Sequence, residues 1–182
     1  MMSRFVDGAK AGVSLTMILR SAGSDPAKTL IGMKGALQRV GLSAKVIVAR
    51  LEPEDDLRQL FASLSELAPQ APASELIRWM RNGRLLDAHE QVTYGEAMCW
   101  SGDVMRRDAD RRNVLALFNE EAPDMVRLSR LAFEALWAAS SPVPERRLTG
   151  PASPRRSGAF EPAEAPVAVL RPNLQAWPLV RH

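Results

Sequence analysis

Apolar residues recur every three to four positions through residues 52–140, and this spacing is typical of amphipathic helices. The first helical segment follows the acidic turn 52–56, where the partial positive charge of a helix N-terminus favours carboxylates. The last segment begins at Pro123, a residue type suited to the first turn of a helix. It carries an apolar stripe that consists of Met125, Leu128, Leu131, Ala132, Ala135 and Leu136.

Three further segments lie between these two, around residues 74–81, 85–107 and 108–118. Ser74 is a suitable N-cap for the first, and Asp108 or Asp110 for the third. Gly95 and Gly102 are candidate breaks in the second segment. We therefore predict a body of five helical segments over residues 52–140, arranged as a bundle or array.

The first 51 residues have two interpretations. Residues 13–20 alternate apolar and polar positions, and the β-branched run at residues 46–48 is also typical of a strand. Between them, Ser24 and Pro26 begin a helical pattern that Gly41 ends. These signals favour a small strand–helix–strand element over residues 1–51. The alternative is an all-helical segment, because β-branched residues cost a helix only about a few tenths of a kcal/mol each.

Residues 141–182 form a third region, which is rich in proline and arginine. Eight of the thirteen prolines lie between Pro142 and Pro178, and proline disfavours helix at the residue before it. We expect an extended tail whose last part is apolar enough to dock on a protein surface. Its predicted contact residues are Leu174, Trp177 and Leu179.

Together these patterns predict a mainly α protein: a helical bundle with a small N-terminal βαβ element and an extended proline-rich C-terminal tail. The length of 182 residues suits one domain of ordinary size with such a tail. No run of roughly 18 apolar residues occurs, so we expect no association with a membrane. A single cysteine excludes a disulfide framework and fits a reducing cytoplasm.

The charge distribution is uneven along the chain. Residues 1–50 hold eight basic groups and two acidic ones, whereas residues 51–100 hold nine acidic groups and four arginines. A basic N-terminal block is consistent with nucleic-acid binding, since phosphate contacts supply most non-specific affinity. Opposite charges in neighbouring segments also face each other in ordinary folds, and the net charge of only +3 fits that simpler interpretation.

A dense group of four arginines lies between residues 106 and 112. Aspartates at positions 103, 108 and 110 accompany them, so one interpretation is a salt-bridged helix junction. The other is a binding site, because guanidinium groups bind acidic side chains or phosphates through paired hydrogen bonds. Its predicted contact residues are Arg106, Arg107, Arg111 and Arg112.

Residues with catalytic chemistry are few. Thr93 stands where a zinc-protease helix would need a second histidine after His89, and Cys99 lies between Met98 and Trp100. Gly32, Lys34 and Gly35 fall inside a predicted helix rather than in a phosphate-binding turn. We therefore expect no catalytic residues, metal or cofactor, and a buried, unreactive Cys99.

These observations favour an interaction or regulatory module without enzymatic activity. It would bind a protein partner or a second copy of itself through helical faces, the arginine group and the C-terminal segment. The alternative is a nucleic-acid-associated protein that uses residues 1–50 together with the arginines of 106–112.

Overall fold

A seven-stranded mixed sheet forms the centre of the computed structural model, which describes residues 2–8, 12–81, 89–102 and 116–150. The strands lie in the order β6-β5-β4-β1-β2-β3-β7. Their bounds are Ser14–Leu19 (β1), Ser43–Val48 (β2), Ile77–Trp79 (β3), Glu90–Tyr94 (β4), Met98–Gly102 (β5), Ala116–Asn119 (β6) and Ser141–Pro142 (β7). Strands β1, β2 and β3 are parallel, and every other pairing is antiparallel.

The N-terminal unit is a strand, a helix and a parallel strand. Helix α2 (Asp25–Arg39) begins after Ser24 with Pro26 in its first turn, and Gly41 follows it at a φ of 62°. That φ lies in the left-handed region, which glycine adopts without a steric penalty. The strand–helix–strand interpretation of these residues agrees with the structure, and the element is the middle of the sheet rather than an addition to a bundle.

A second crossover connects β2 to β3 through helix α3 (Glu54–Leu67) and the short helix α4 (Ala73–Leu76). Helices α2 and α3 pack against each other on one face of the sheet, which we call the front face. An ion pair of 2.7 Å between Lys34 Nζ and Glu66 Oε2 joins them at the surface. Helix α1 (Met2–Gly8) packs on α2, and its Phe5 ring lies 5.3 Å from the ring of Tyr94.

Helix α5 (Pro123–Ala139) packs on the opposite face of the sheet, which we call the back face. After α5 the chain adds β7 beside β3 and ends its described part with helix α6 (Glu145–Thr149). Helix α6 packs on α3, with Leu148 buried and Arg147 paired with Glu52 and Glu54. The body therefore consists of helices on both faces of one sheet.

The predicted mainly helical bundle is wrong, because the described chain is α/β with a seven-stranded sheet. Residues 77–79, 90–94, 98–102 and 116–119 were predicted as helix and form strands. In β4 and β5, Val92 and Tyr94 face the front of the sheet together with Met98 and Trp100. Such alternation over only five residues also fits a helical spacing, so the strands are selected only by pairing, of β4 with distant β1 and of β5 with β4.

The hydrophobic core is unequal on the two faces. On the front face a large cluster joins the sheet to α1, α2, α3 and α6, with Leu15, Met17, Leu30 and Leu57 fully buried. On the back face the buried cluster is small and consists of Ile18, Ile47, Ala49, Met80 and Phe133. One helix, α5, therefore supplies the helical part of the described back-face core.

Candidate interaction surface

Hydrogen bonds attach helix α5 to the turn between β4 and β5. The guanidinium of Arg130 donates to the carbonyl of Gly95 over 2.6 Å. The backbone N–H of Ala122, at the start of the helix, donates to the carbonyl of Ala97 over 2.9 Å. Gly95 has a φ of 57°, and a Cβ at this position would lie 3.1 Å from Val13 and 3.3 Å from Phe5. The turn therefore holds the first half of α5 in place.

The inner side of α5 is a packed apolar surface. Phe133 is 1% exposed, and its ring stacks on that of Trp137 with the centroids 5.4 Å apart. Arg78 of β3 lies 5.0 Å from the Trp137 ring and donates to the carbonyl of Trp137 over 2.9 Å. Such a cation–π contact stabilises by roughly 0.5–2 kcal/mol, depending on burial. The C-terminal half of α5 is thus fixed to β2 and β3.

The outer side of the same helix is also apolar, yet it is exposed. At 100° per residue, Leu128 lies about 140° around the helix from Phe133. Leu128 is 57% exposed, Leu131 62% and Met125 49%. We call this side the outer face of α5; it consists of Met125, Leu128, Leu131, Ala132, Ala135, Ala138 and Ala139, all of them exposed.

Leu117 of β6 lies on the same side of the molecule as α5. It pairs with Ser101 of β5, which pairs with Gln91 of β4, which pairs with Ile18 of β1. Directly paired residues project to the same face of a sheet, and Ile18 belongs to the back-face core. Leu117 is 51% exposed, so all the large exposed apolar residues of the described chain lie on the back side.

A shallow groove of about 260 Å³ lies along the flank of α5. Its lining includes Leu131, the arginines Arg127 and Arg130, and the carboxylates Glu96 and Glu134. The groove therefore places charges of both signs beside the apolar outer face. A polar rim around an apolar centre is the usual composition of a protein-binding surface.

The sequence identified the apolar stripe of Met125, Leu128 and Leu131 but not its exposure. Val126, Phe133 and Trp137 form a second stripe, and these residues pack against the sheet. The signal for exposure was the presence of both stripes on one helix. An apolar stripe on each of two sides means that the sequence alone does not tell which side packs on the sheet.

A buried carboxylate lies at the end of β4 that is opposite to the β4–β5 turn. Glu90, 2% exposed at the start of β4, accepts a hydrogen bond from the backbone N–H of Arg20 over 3.1 Å. Burial raises the pKa of Glu90, while hydrogen bonds from Ser24 and Arg20 oppose that rise. The side chain joins β4 to the loop before α2, and this role is structural.

The residues considered for metal or thiol chemistry do not assemble into a site. His89 is exposed, whereas Glu90 next to it is buried, and Glu96 lies beyond the opposite end of β4. No group of three metal-binding side chains occurs within the described ranges. The predicted burial of Cys99 is confirmed. Its side chain lies on the back face of the sheet, near the amide of Asn119.

The basic residues of the N-terminal block are divided between the two faces of the sheet. Lys28 and Arg39 lie exposed on α2, at the front. Lys45 lies at the back, 5.5 Å from the Trp137 ring, and Lys34 is paired with Glu66. The described part of the block therefore does not form one continuous cationic surface. The predicted contact residues Arg106, Arg107, Arg111, Arg112, Leu174, Trp177 and Leu179 lie outside the described residues.

Comparison with known proteins identifies no family. No protein-family model matches the chain, and no curated protein matches it. A similar solved structure is that of TrmBL2, described as an archaeal chromatin protein with a novel mode of DNA binding. The sequences are 13% identical and the TM-score is 0.47, over 78% of this chain and 48% of that one. This chain thus spans about half the length of that protein.

None of the helices in the described ranges combines the length and apolar character needed to cross a membrane.

Proposed function

We propose that the protein is an interaction module that binds a protein partner through the outer face of α5. The observation that carries this proposal is the exposure of Leu128 and Leu131 on a helix whose opposite side is already packed. Exposed apolar groups that cluster on one side of a protein mark an interaction site, whereas scattered ones carry no such meaning.

Contacts between α5 and the sheet support a rigid binding surface. Arg130 fixes the first half of α5 to the β4–β5 turn, and Arg78 fixes its end to β3. A surface that is ordered before binding loses less conformational entropy on association than a flexible one. The outer face is therefore presented in one geometry, with Arg127 and Glu134 at its rim.

The proposal is tested by Leu128→Glu, which places a charge in the centre of the outer face. The matched control is Gln59→Glu, which adds the same charge at an exposed position of α3. Each tagged protein is used as bait in a lysate of the cells in which the chain is made. Both other proteins and untagged copies of the chain are scored as captured partners. We expect capture by the wild type and the control, and loss with Leu128→Glu. Equal capture by all three proteins would show that α5 is not the surface.

The C-terminal segment is a second proposed contact, and truncation separates its contribution from that of α5. The described body ends with α6, whose Leu148 is buried, so a chain ending at Thr149 is expected to fold. Weaker capture by the truncated chain would assign a role to Leu174, Trp177 and Leu179, and Trp177→Ala should then reproduce much of the loss. Unchanged capture would exclude these residues as contacts.

Nucleic-acid association remains the alternative function. Lys28 and Arg39 on the front face are the exposed basic side chains of α2 that phosphates could reach. If this alternative holds, affinity for duplex DNA should fall steeply with salt and decrease in Lys28→Gln. Leu128→Glu should then leave the affinity nearly unchanged, because α5 lies on the other face.

A further inference from the structure

We propose that the partner of the outer face is a second copy of this chain, bound as an antiparallel pair of α5 helices. This inference rests on the proposed function, since it names the partner of the same surface. It starts from the distribution of side-chain size along the helix. The large residues Met125, Leu128 and Leu131 occupy its first half, and the alanines at 132, 135, 138 and 139 occupy its second.

An antiparallel arrangement makes this surface complementary to itself. With a two-fold axis between Leu131 and Ala132, Leu128 of one copy lies opposite Ala135 of the other, since these two positions are only about 20° apart around the helix. Met125 is level with Ala138 but lies on the other flank of the interface. The central Leu128 then meets a small side chain, and two-fold symmetry repeats the contact. Alanines at these points allow the helix axes to approach to about 8 Å, the short end of the usual range.

A parallel pair fits less well. It would place Leu128 against Leu128 and Ala135 against Ala135, which crowds one half of the interface and leaves voids in the other. Both defects lower the stability of packed apolar surfaces. The size distribution therefore selects the antiparallel orientation.

The charges on the flank agree with the same arrangement. Arg127 and Glu134 both line the groove beside the outer face. In the proposed pair, Arg127 of one copy and Glu134 of the other are offset by two residues, which is about 3 Å along the helix axis. In the single chain Arg127 contacts Asp124 at 3.7 Å, with both side chains largely exposed, so this pair is weak and does not prevent a new contact.

A complementary pair of variants tests the contact between positions 128 and 135. The homodimer of Leu128→Glu carries two unpaired carboxylates in the interface, and the homodimer of Ala135→Arg carries two unpaired guanidinium groups. Sedimentation equilibrium of the full chain should show dimerisation weakened at least about tenfold for each. An equal mixture forms a heterodimer with one Glu–Arg contact and one native Leu–Ala contact, so mixing should restore association.

The control for added charge is Gln59→Glu, which should dimerise as the wild type does. Circular dichroism should show all variants folded, because substitutions at exposed helix positions change stability little. Failure of the mixture to recover association would overturn the antiparallel contact. Recovery to within about threefold of the wild-type dissociation constant would support it.

A cysteine crosslink provides an independent measurement. Ala132→Cys lies beside the two-fold axis, where two copies come close enough for a disulfide. The one native thiol, Cys99, is buried and gives little background. Mild oxidation should yield a crosslinked dimer for Ala132→Cys and none for Gln59→Cys. Equal crosslinking of the two variants would count against the contact.

Failure of this inference is distinguishable from failure of the proposed function. A wild-type chain that stays monomeric at all concentrations overturns self-association. The proposed function survives that result if Leu128→Glu still abolishes the capture of another protein, and fails if it does not.

Discussion

Helices α2 and α5 cover opposite faces of the same sheet, and their outward sides differ in chemistry. The outward side of α2 carries Lys28 and Arg39 with Gly32 and Gly35 between them, and a Cβ added at either glycine would meet open space. The outward side of α5 carries Asp124 in its first turn and otherwise leucines, a methionine and alanines. Both helices have a buried inner side, so burial of the inner side does not explain this difference.

The neighbours of each helix explain part of the contrast. Helix α2 is flanked by α1 and α3 and contributes to a large shared core, so its outer side needs no further contact. Helix α5 packs on a small back-face cluster whose other described members come from β1 and β2 and from Ala49 and Met80, which directly follow β2 and β3. A second apolar side on this helix is therefore consistent with a surface that binds another protein. The predictions below test this distinction, in order of decreasing expected effect.

Phe133→Ala should have the largest effect on the free energy of unfolding. The ring is 1% exposed and stacks on Trp137, so its loss should destabilise by about 3–5 kcal/mol. Leu128→Ala, on the outer side of the same helix, should change the stability of the monomer by no more than about 0.5 kcal/mol. Urea denaturation at low protein concentration measures both. Equal losses for the two variants would mean that the outer side is also packed within the monomer.

Glu90, which is bonded to the loop before α2, should make the free energy of unfolding depend on pH. Burial raises its pKa in the folded state above the ordinary value of 4.5. Its favourable contribution is therefore complete below that ordinary pKa and is lost as pH rises through the folded pKa. Glu90→Gln keeps an acceptor for Arg20 and cannot ionise, so its stability relative to the wild type should increase from pH 4 to pH 8. A difference between the denaturation midpoints of the variant and the wild type that stays constant across this range would contradict the raised pKa of Glu90.

Cys99→Ser, on the back face, should lower the free energy of unfolding moderately. The side chain is 4% exposed, and a hydroxyl buried in place of a thiol costs about 1–2 kcal/mol when it lacks a good partner. The native thiol should also react slowly with a maleimide unless denaturant is present, whereas dimerisation should be unaffected. Rapid labelling of the folded protein would show that this part of the back face opens.

Gly32→Ala and Gly35→Ala should have the smallest effect, and in the opposite direction. Both glycines lie within α2, and an added methyl group would meet no other atom. Alanine should therefore stabilise the helix by about 0.5–1 kcal/mol at each position. Thermal unfolding measures the gain. A loss of stability would show that another group approaches this side of α2.

The sequence predicted several local elements well because short-range rules determine them. The start of α2 at Ser24 and Pro26, its end before Gly41 and the acidic first turn of α3 all follow from residues close in the chain. The alternation in β1 and the β-branched run in β2 likewise indicated strands. The apolar spacing after Pro123 indicated the helix α5.

Tertiary structure alone decided the rest. Strands β4 and β5 are too short for their spacing to exclude helix. Strand β4 forms because β1 supplies hydrogen bonds from a distant part of the chain, and β5 forms by pairing with β4 and β6. The spacing of α5 shows two apolar stripes and gives no preference between them. Phe133 packs inward because Ile18, Ile47 and Met80, contributed by three separate strand regions, form a surface that fits it. Leu128 and Leu131 then remain exposed, so the candidate surface is determined by long-range packing.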